Sequence, residues 1–571
     1  MKLTDTFARV LKSININHVF GLQGGAVVHF FDSLEKAGIG VTYTHHEESA
    51  ALAAVAYAKV AKVTGCVVVT TGPGSTNAIT GLLAAWQDSV PCLFISGQAR
   101  SKHTSYGRKV RQVGTQEVNI CDIVKPITKY VKFIQDKNQF LDELHYAINI
   151  ANEGRPGPVW LDIPLDIQWE DIAFESIRPK LANEQNVGDY PLKFYESRKL
   201  LEKANKPLLV LGYGIHLSHT EALIEQIILE NSIPFVTTWT AADLFPSELP
   251  LNLGIIGMSG QRGANKAIYE ADLLLCLGTH LSIPHTTTLY ESYAPNSIKI
   301  AVNIDPDQLD NLNVNFDLKI STDLRTYLNY LNESPLSLAT WGSLNNFKIQ
   351  NWYEPKVSSS PNSNKYIHEL TKEALPEKSI VIDGGGTALY AGFQSAVIKK
   401  GDRVICSSAI SAMGTGLAEV IGVAKGRPSQ KILCMIGDGS FLMNIQDLQT
   451  IYQDKINVII SVINNNGYAA IRHTQKEFLS GSYFGTHPDW NLKMPSIQKL
   501  AAAFEIPYVL LKESSNLSSV VEYLNKHDGP IICEVVVEED QDVLFKQGYR
   551  SNSDGTFSPQ DLSEMHPFMN V

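Results

Sequence analysis

Short apolar runs, most of them ending at Gly or Pro, alternate with stretches of helical spacing along almost the whole chain. Strands buried on both faces of a parallel sheet read as uninterrupted runs of this kind, so the pattern predicts repeated α/β units. The first set is HVFG (18–21), VTYTH (41–45), GCVVVTTGPG (65–74), PCLFISG (91–97) and PVWLDIP (158–164). A polar stretch from Trp169 to Leu192 carries little apolar periodicity and reads as a linker. The second set is KPLLVLGYG (206–214), PFVTT (234–238), DLLLCLG (272–278) and KIAVNID (299–305). It fades between Asn332 and Asn346, and a second linker ends at PKVSSSPNSN (355–364). The third set is SIVIDGG (379–385), RVICSS (403–408), KILCMIGDG (431–439), NVIISVINNN (457–466) and PIICEVVV (530–537). The fold class expected is α/β, with three doubly wound parallel-sheet domains at 1–170, 190–335 and 360–548. Residues 549–571 lack periodicity and read as an extended surface tail.

Composition narrows the partners. The 571 residues, 44% apolar and 19% charged, suffice for several ordinary cores. Against 59 Asp and Glu stand 48 Lys and Arg, a formal net charge of −11 with no dense basic run, which argues against nucleic acid. The opening MKLTDTFARVLKSININHVFG reads as an amphipathic helix entering a strand, without a signal-peptide core. No apolar run approaches the ~20 residues that span a bilayer, so no membrane association is expected. Seven cysteines lie scattered, most within strand-like runs, and none forms a CxxC pair. They read as buried reduced thiols of a cytoplasmic protein, not as a disulfide framework or a zinc site.

The strongest local signal is KILCMIGDGS followed by NVIISVINNNGY. A strand ends at Gly437-Asp438-Gly439-Ser440 and a helix begins directly after it. Glycine lets a ligand approach the backbone closely, and the N–H groups of a helix start favour phosphate. Asp438 at a strand end suits a hard cation such as Mg²⁺, and Asn465, closing the next strand, offers an amide oxygen to the same ion. Adjacent parallel strands would bring the two ends together as a Mg²⁺-bridged diphosphate site.

A GDG turn alone is common, but GDGS and then NN at this interval resembles the thiamine-diphosphate enzymes. The resemblance implies Mg²⁺ held by Asp438, the Asn465 side chain and the Gly467 carbonyl. Gly437, Gly439, Ser440 and Tyr468 would lie along the diphosphate. At the N-terminal end, His46-Glu47-Glu48-Ser49-Ala50 enters an Ala-rich helix, which is similar to the family's HExxA segment. Glu47 would then be the catalytic carboxyl that reaches the aminopyrimidine N1′, a role that requires a desolvated setting. Val69-Thr70-Thr71-Gly72-Pro73-Gly74-Ser75-Thr76-Asn77 resembles the cofactor-lining turn of the acetolactate synthase branch, with Pro73 and Asn77 as contacts. Phe20 to Ala26 is similar to the branch's FGxPGGA loop, including Gly24 and Gly25, although Gln23 replaces the usual Pro. Gln116 corresponds to the Gln of FQE and would neighbour the thiazolium, although Thr115 departs from the Phe. Ser411 and Met413 match GTMG, Met413 being the residue that would bend the cofactor. Gly385, Gly386 and Thr387 would contact the diphosphate, where the branch's Gln-His pair is absent.

The middle domain of the branch binds FAD. Here Gly278 to His285 lacks the Arg and paired Asp of the branch motif, so FAD stays open, and the glycine-rich GYGIH and GIIGMSGQRGAN either line such a site or simply form turns. Ala470 and Thr474 stand where the branch carries Met and Trp around the acceptor pocket, and His473 and Gln475 lie beside them. The tail resembles acetolactate-synthase-like proteins encoded with bacterial surface-sugar and secondary-metabolite genes.

The activity implied is decarboxylation of a 2-oxo acid donor, pyruvate first, with transfer of the acyl unit to a carbonyl acceptor. A decarboxylase or C–C lyase without carboligation is the alternative. A Rossmann dehydrogenase would need GxGxxG, which GLQGGA does not supply. A non-catalytic relative should have lost Glu47 or the metal ligands. The resemblance further implies a homodimer at minimum, with a homotetramer open.

Overall fold

The computed structural model describes residues 1–173, 190–352, 354–355, 358–554 and 556–568. Most of the first linker and Lys356-Val357 of the second lie outside the described residues, as do positions 555 and 569–571 of the tail.

Three six-stranded parallel sheets carry the chain. The first contains β1 (His18–Gly21), β2 (Gly40–Tyr43), β3 (Gly65–Val69), β4 (Cys92–Gln98), β5 (Tyr130–Phe133) and β6 (Pro158–Pro164), in the order β2-β1-β3-β4-β6-β5. The second contains β7 (Pro207–Leu211), β8 (Phe235–Thr237), β9 (Asn252–Ile255), β10 (Leu273–Leu277), β11 (Ile298–Asn303) and β12 (Leu318–Ser321), in the order β12-β11-β10-β7-β8-β9. The third contains β13 (Ser379–Ile382), β14 (Arg403–Ile405), β15 (Ile432–Gly437), β16 (Val458–Asn464), β17 (Tyr508–Leu511) and β18 (Ile531–Val536), in the order β14-β13-β15-β16-β18-β17. The first and third sheets therefore share one topology, although the sequence shows no repeat. In each, the direction of winding reverses beside the sheet's first strand, and ligands favour the crevice at such a reversal.

The interior strands β3, β4, β7 and β10 are buried at every residue, which is why they read as unbroken apolar runs. Four strands escaped the sequence pattern: β5, β9, β12 and β17, all at sheet edges. An edge strand covers one side only, and β5 and β17 are mostly half-buried, so no long apolar run marks them. The amphipathic opening folds as the Leu3–Ser13 helix, burying Leu3, Phe7, Val10 and Leu11 before β1. Past β18 the described residues form four short strands. β19 (Lys546–Gln547) pairs antiparallel with β22 (Met565–His566), and β20 (Tyr549–Ser551) with β21 (Phe557–Pro559), while Leu562 and Met565 are buried.

The first and third sheets share one core through two helices. The Ala-rich Glu47–Ala61 helix packs on Thr415–Gly426 so closely that a Cβ on Gly422 would meet the Ala53 carbonyl oxygen at 2.0 Å. Beneath them Lys59 is buried, donating to Asp88 (2.7 Å) and to the Cys406 carbonyl (2.9 Å). The second sheet is tied on by Asp243, which accepts from Arg403 Nε (2.7 Å) and the Val404 N–H (2.8 Å). All seven cysteines are buried free thiols. No helix among the described residues is long and apolar enough to cross a membrane.

Candidate active site

β15 and β16 are neighbours in register, Gly437 beside Ile463, so the loops after them open side by side. Asp438 starts the Asp438–Phe441 helix and is buried. Burial pushes its carboxyl up to about 7, against the N–H groups of Gly467 and Gly439 and the Arg472 guanidinium. Gly467 donates to Asp438 Oδ2 at 2.8 Å. Asn465 donates through its amide nitrogen to Thr387 Oγ1 at 3.1 Å, while its carbonyl oxygen is buried without a hydrogen-bond partner. An orphaned amide oxygen beside a buried carboxylate is a donor set for a hard cation. Among the described residues no group of three His, Cys, Asp or Glu side chains forms a metal cage. The cation here would depend on one carboxylate, one amide and the backbone.

Glycines open the same crevice. A Cβ on Gly386 or Gly437 would meet nothing within 4 Å, leaving backbone exposed to a ligand. Gly385 instead lies against Met413, whose Cγ would be 2.5 Å from an added Cβ. Gly439 lies under the Tyr468 ring, 2.2 Å from Cε1 on the same measure. Ser440 is buried, whereas Ser411 is exposed at a φ of 50°.

The residues of the first sheet form a second group. Glu47 opens the Glu47–Ala61 helix, 6% exposed, and its Oε2 accepts from Asn77 Nδ2 at 3.0 Å. His46 caps that helix by accepting from the Glu48 N–H at 3.3 Å. Pro73 starts the Pro73–Asn77 helix after Gly72, whose φ of 63° puts the turn beyond ordinary side chains. Gln116, at φ 60°, covers that turn and accepts from Thr71 Oγ1 at 3.2 Å through its carbonyl, while its side chain is exposed. Gly24 packs on Thr70, 2.5 Å from a would-be Cβ, and Gly25 is open. Within the chain it is Glu48 and Ser49, one and two residues on, that meet the third sheet's loops, through Asn444 (3.5 Å) and Gln446 (3.4 Å).

Three family models match in chain order: the thiamine pyrophosphate enzyme N-terminal TPP binding domain over residues 1–123, the central domain over 196–331 and the C-terminal TPP binding domain over 384–535. The acetolactate synthase large subunit of Porphyra purpurea is 30% identical over 550 residues, 92% of this chain and 90% of the relative. The chain belongs to the thiamine pyrophosphate enzymes. It is an acetolactate synthase-like, thiamine-diphosphate-dependent carboligase. The large subunit from Cyanidium caldarium is 30% identical over 562 residues (94% of this chain, 93% of the relative). Acetolactate synthase isozyme 2 large subunit of Escherichia coli (strain K12) is 28% identical over 541 residues (93% and 95%).

Sequence reasoning missed the supports of the enzyme's crevice. Arg472, buried in the Ala469–Phe478 helix, donates to the carbonyls of Asn465 (2.7 Å), Thr486 (3.0 Å) and Glu539 (2.6 Å), fixing the loop that carries Asn465 and Gly467. Asp383, after β13, accepts from Gly416 N (3.0 Å) and Gly385 N (3.2 Å), and burial pushes it up to about 6. Neither residue has a local signature, because each acts on segments far along the chain. Gln475 is buried, donating to the Phe484 carbonyl (2.9 Å) and accepting from Thr486 (3.1 Å), so it holds the following loop. His473 keeps a buried Nε2 without a partner, and Thr474 bonds back to the Ala470 carbonyl at 3.1 Å.

The second sheet reverses between β7 and β10. There the Gly212 and Gly278 turns nearly touch, a Cβ on Gly212 falling 2.3 Å from the Gly278 oxygen. A cleft of about 1810 Å³ opens at this point, bordered by Tyr213, Gly214, His280, Asp305 and Asp323, with Lys129 and Arg155 from the first sheet's side. Of the two glycine-rich candidates only GYGIH borders it. GIIGMSGQRGAN turns elsewhere, its Asn265 donating to Met565 of the tail.

Proposed function

We propose that this enzyme decarboxylates pyruvate and joins the acyl unit to a second carbonyl compound, with the residue roles that follow. The overall step is balanced: donor anion, acceptor carbonyl and a proton give a ketol and carbon dioxide, a C–C bond breaking at the carboxylate and another forming at the acceptor carbon. The observation that carries the site assignment is the orphaned Asn465 oxygen beside buried Asp438. Asp438, Asn465 and the Gly467 carbonyl would hold Mg²⁺, and the open backbone at Gly386 and Gly437, with Gly385, Thr387, Gly439, Ser440 and Tyr468, would receive the diphosphate. Met413 and Ser411 would support the aminopyrimidine side, together with Gly24, Gly25, Pro73 and Asn77. When bound, thiamine diphosphate supplies the electron sink that decarboxylation and acyl transfer require.

The chain's own work is positioning and proton handling. Asn77 fixes the orientation of the Glu47 carboxyl, and burial keeps water from it, so Glu47 can hold or release a proton at the cofactor ring. Gln116 presents its exposed side chain at the turn that carries Pro73. We infer a homodimer at minimum, with further pairing to a homotetramer. Glu47 turns toward Asn77 while its neighbours Glu48 and Ser49 meet the third sheet of the same chain, which leaves the Glu47 side to a partner's crevice. Three domains at 1–170, 190–335 and 360–548 with a tail from 549, and a cytoplasmic setting for the buried thiols, belong to the same reading.

The cleft at the second sheet's reversal point has the room for a dinucleotide, and its first-sheet side carries Lys129 and Arg155, the latter paired with Asp305 at 3.1 Å, so we propose FAD as its occupant. A flavin absorbance spectrum of the purified protein tests that assignment.

Incubation with thiamine diphosphate, Mg²⁺ and ¹³C-labelled pyruvate, followed by NMR, tests the activity. Acetolactate or acetoin is the expected product. Acetaldehyde alone would favour the lyase reading, and no turnover with cofactor bound would exclude pyruvate as donor.

A further inference from the structure

The segment between β4 and Gln116 is unlike the rest of this acidic chain. Residues 100–111 contain five Lys or Arg (Arg100, Lys102, Arg108, Lys109 and Arg111) and no Asp or Glu. Arg108, Lys109 and Arg111 are exposed, and among the described residues none of the three has an acidic partner within ion-pair distance. Among the described residues their one side-chain hydrogen bond runs from Arg108 to the Lys102 carbonyl (3.1 Å).

The loop that carries them is closed and fastened. Buried Glu117 accepts from the Ser105 N–H (3.2 Å), the Ser105 hydroxyl (3.0 Å) and, on the other side of the loop, the Val113 N–H (2.8 Å). Tyr106 anchors the base by stacking on Phe133 at 4.0 Å and donating to Asp162 at 3.1 Å. The residue before Glu117 is Gln116, which lies on the Thr71-Gly72-Pro73 turn, and that turn leads to Asn77, the partner of Glu47. Glu117 thus closes a loop that bears three cations without acidic partners and whose end, Gln116, lies on the turn leading to Asn77, and such a cluster suits multiply charged oxyanions.

We propose that Arg108, Lys109 and Arg111 form an anion-docking loop that selects a carbonyl acceptor bearing a phosphate or diphosphate group. The proposal rests on the carboligase reading above and deepens it by naming the acceptor's charge class. A 2-oxo acid carries a single carboxylate, whereas three cations on one fastened loop match a ligand with several charged oxygens. Acceptor choice is then set outside the reacting centre, by the charge of this loop.

The test compares wild type with the R108S/K109S/R111S variant on pairs of acceptors that differ only in phosphate: glyceraldehyde against glyceraldehyde 3-phosphate, and dihydroxyacetone against its phosphate. A uridine-diphosphate-linked keto-sugar separates a nucleotide-linked acceptor from a simple phosphorylated one. Pyruvate is the donor throughout. The KM for the preferred charged acceptor should rise about 10-fold or more in the variant, and fall in salt sensitivity, while decarboxylation of pyruvate stays within about 2-fold. Equal effects on charged and neutral acceptors, or none on either, would overturn the proposal. If wild type does not turn over pyruvate, the carboligase reading has failed separately. Equilibrium binding of uridine diphosphate and ribose 5-phosphate to the thiamine-diphosphate-loaded protein then decides the docking loop: weaker binding by the variant supports it, and equal binding removes it. Light scattering completes the test, since a variant that loses its oligomeric state would assign the loop to a subunit contact instead.

Discussion

Asn77 donates its side-chain N–H to the Glu47 carboxylate at 3.0 Å, joining the end of a short helix after β3 to the first residue of the helix after β2. The bond aims a buried carboxyl without neutralising it. Glu47→Gln should retain the fold and most thiamine diphosphate binding, yet lose activity by roughly 10²-fold or more, the scale of a removed general acid–base. Proton exchange at the cofactor's C2, followed by NMR in D₂O, reads this directly. Near-normal exchange would remove Glu47 from the mechanism. Asn77→Ala should lower the same rate less, because the carboxyl remains.

Arg472 donates to the carbonyls of Asn465, Asn466, Thr486 and Glu539 around the loop that carries Asn465 and Gly467. Substituting Arg472→Met leaves those buried acceptors without donors and frees the loop. Mg²⁺ affinity should drop about 10- to 100-fold, as for other supports one layer behind a metal ligand. Titration of Mg²⁺ against cofactor binding measures it, and an unchanged affinity would show the loop to be rigid without the guanidinium.

The contact of Gly422 with Ala53 sets how closely the first and third sheets can approach. Gly422→Ala places a methyl about where the Ala53 carbonyl oxygen already sits, so the two helices must separate. A cost of about 1–3 kcal/mol and a lowered Tm are expected. Gly342→Ala, where an added Cβ meets nothing, should leave the Tm nearly unchanged. Calorimetry on both variants makes the comparison.

Asp447 is buried against the first turn of the Glu47 helix, and burial pushes its carboxyl up to about 7, with Ser49 favouring the charged form and Glu48 opposing it. Between its ordinary value near 4 and about 7 the folded protein keeps a proton that the unfolded chain has released. Stability contributed at this site therefore falls as pH rises through that window. Asp447→Asn should remove the dependence, and the stability of the variant relative to wild type should grow from about pH 5 to about pH 7. Thermal melts across this range check the sign.

Much of the site was legible locally. GDGS and NNNG close strands whose burial makes them apolar without interruption, and the structure brings their ends together beside the Gly384–Thr387 turn. The HEESA segment reads correctly as a helix start because capping and the Ala-rich run are themselves local. The four edge strands were not legible, since one-sided burial leaves no continuous run. Glycine spacing left GIIGMSGQRGAN open between a ligand loop and a plain turn, and only its packing against the tail separates the two.

The sequence by itself determined the α/β class, the strand-end loops and the residue types at the crevice, because backbone permissiveness and two-sided burial leave their mark within ten or so neighbouring positions. Tertiary structure alone decided the shared order of the first and third sheets, the Arg472 and Asp383 supports, and the cation-bearing loop closed by Glu117. Each of these depends on partners brought together by packing, as Lys59 meets the Cys406 carbonyl across 347 residues of chain, and such pairings have no spacing that a local pattern can carry.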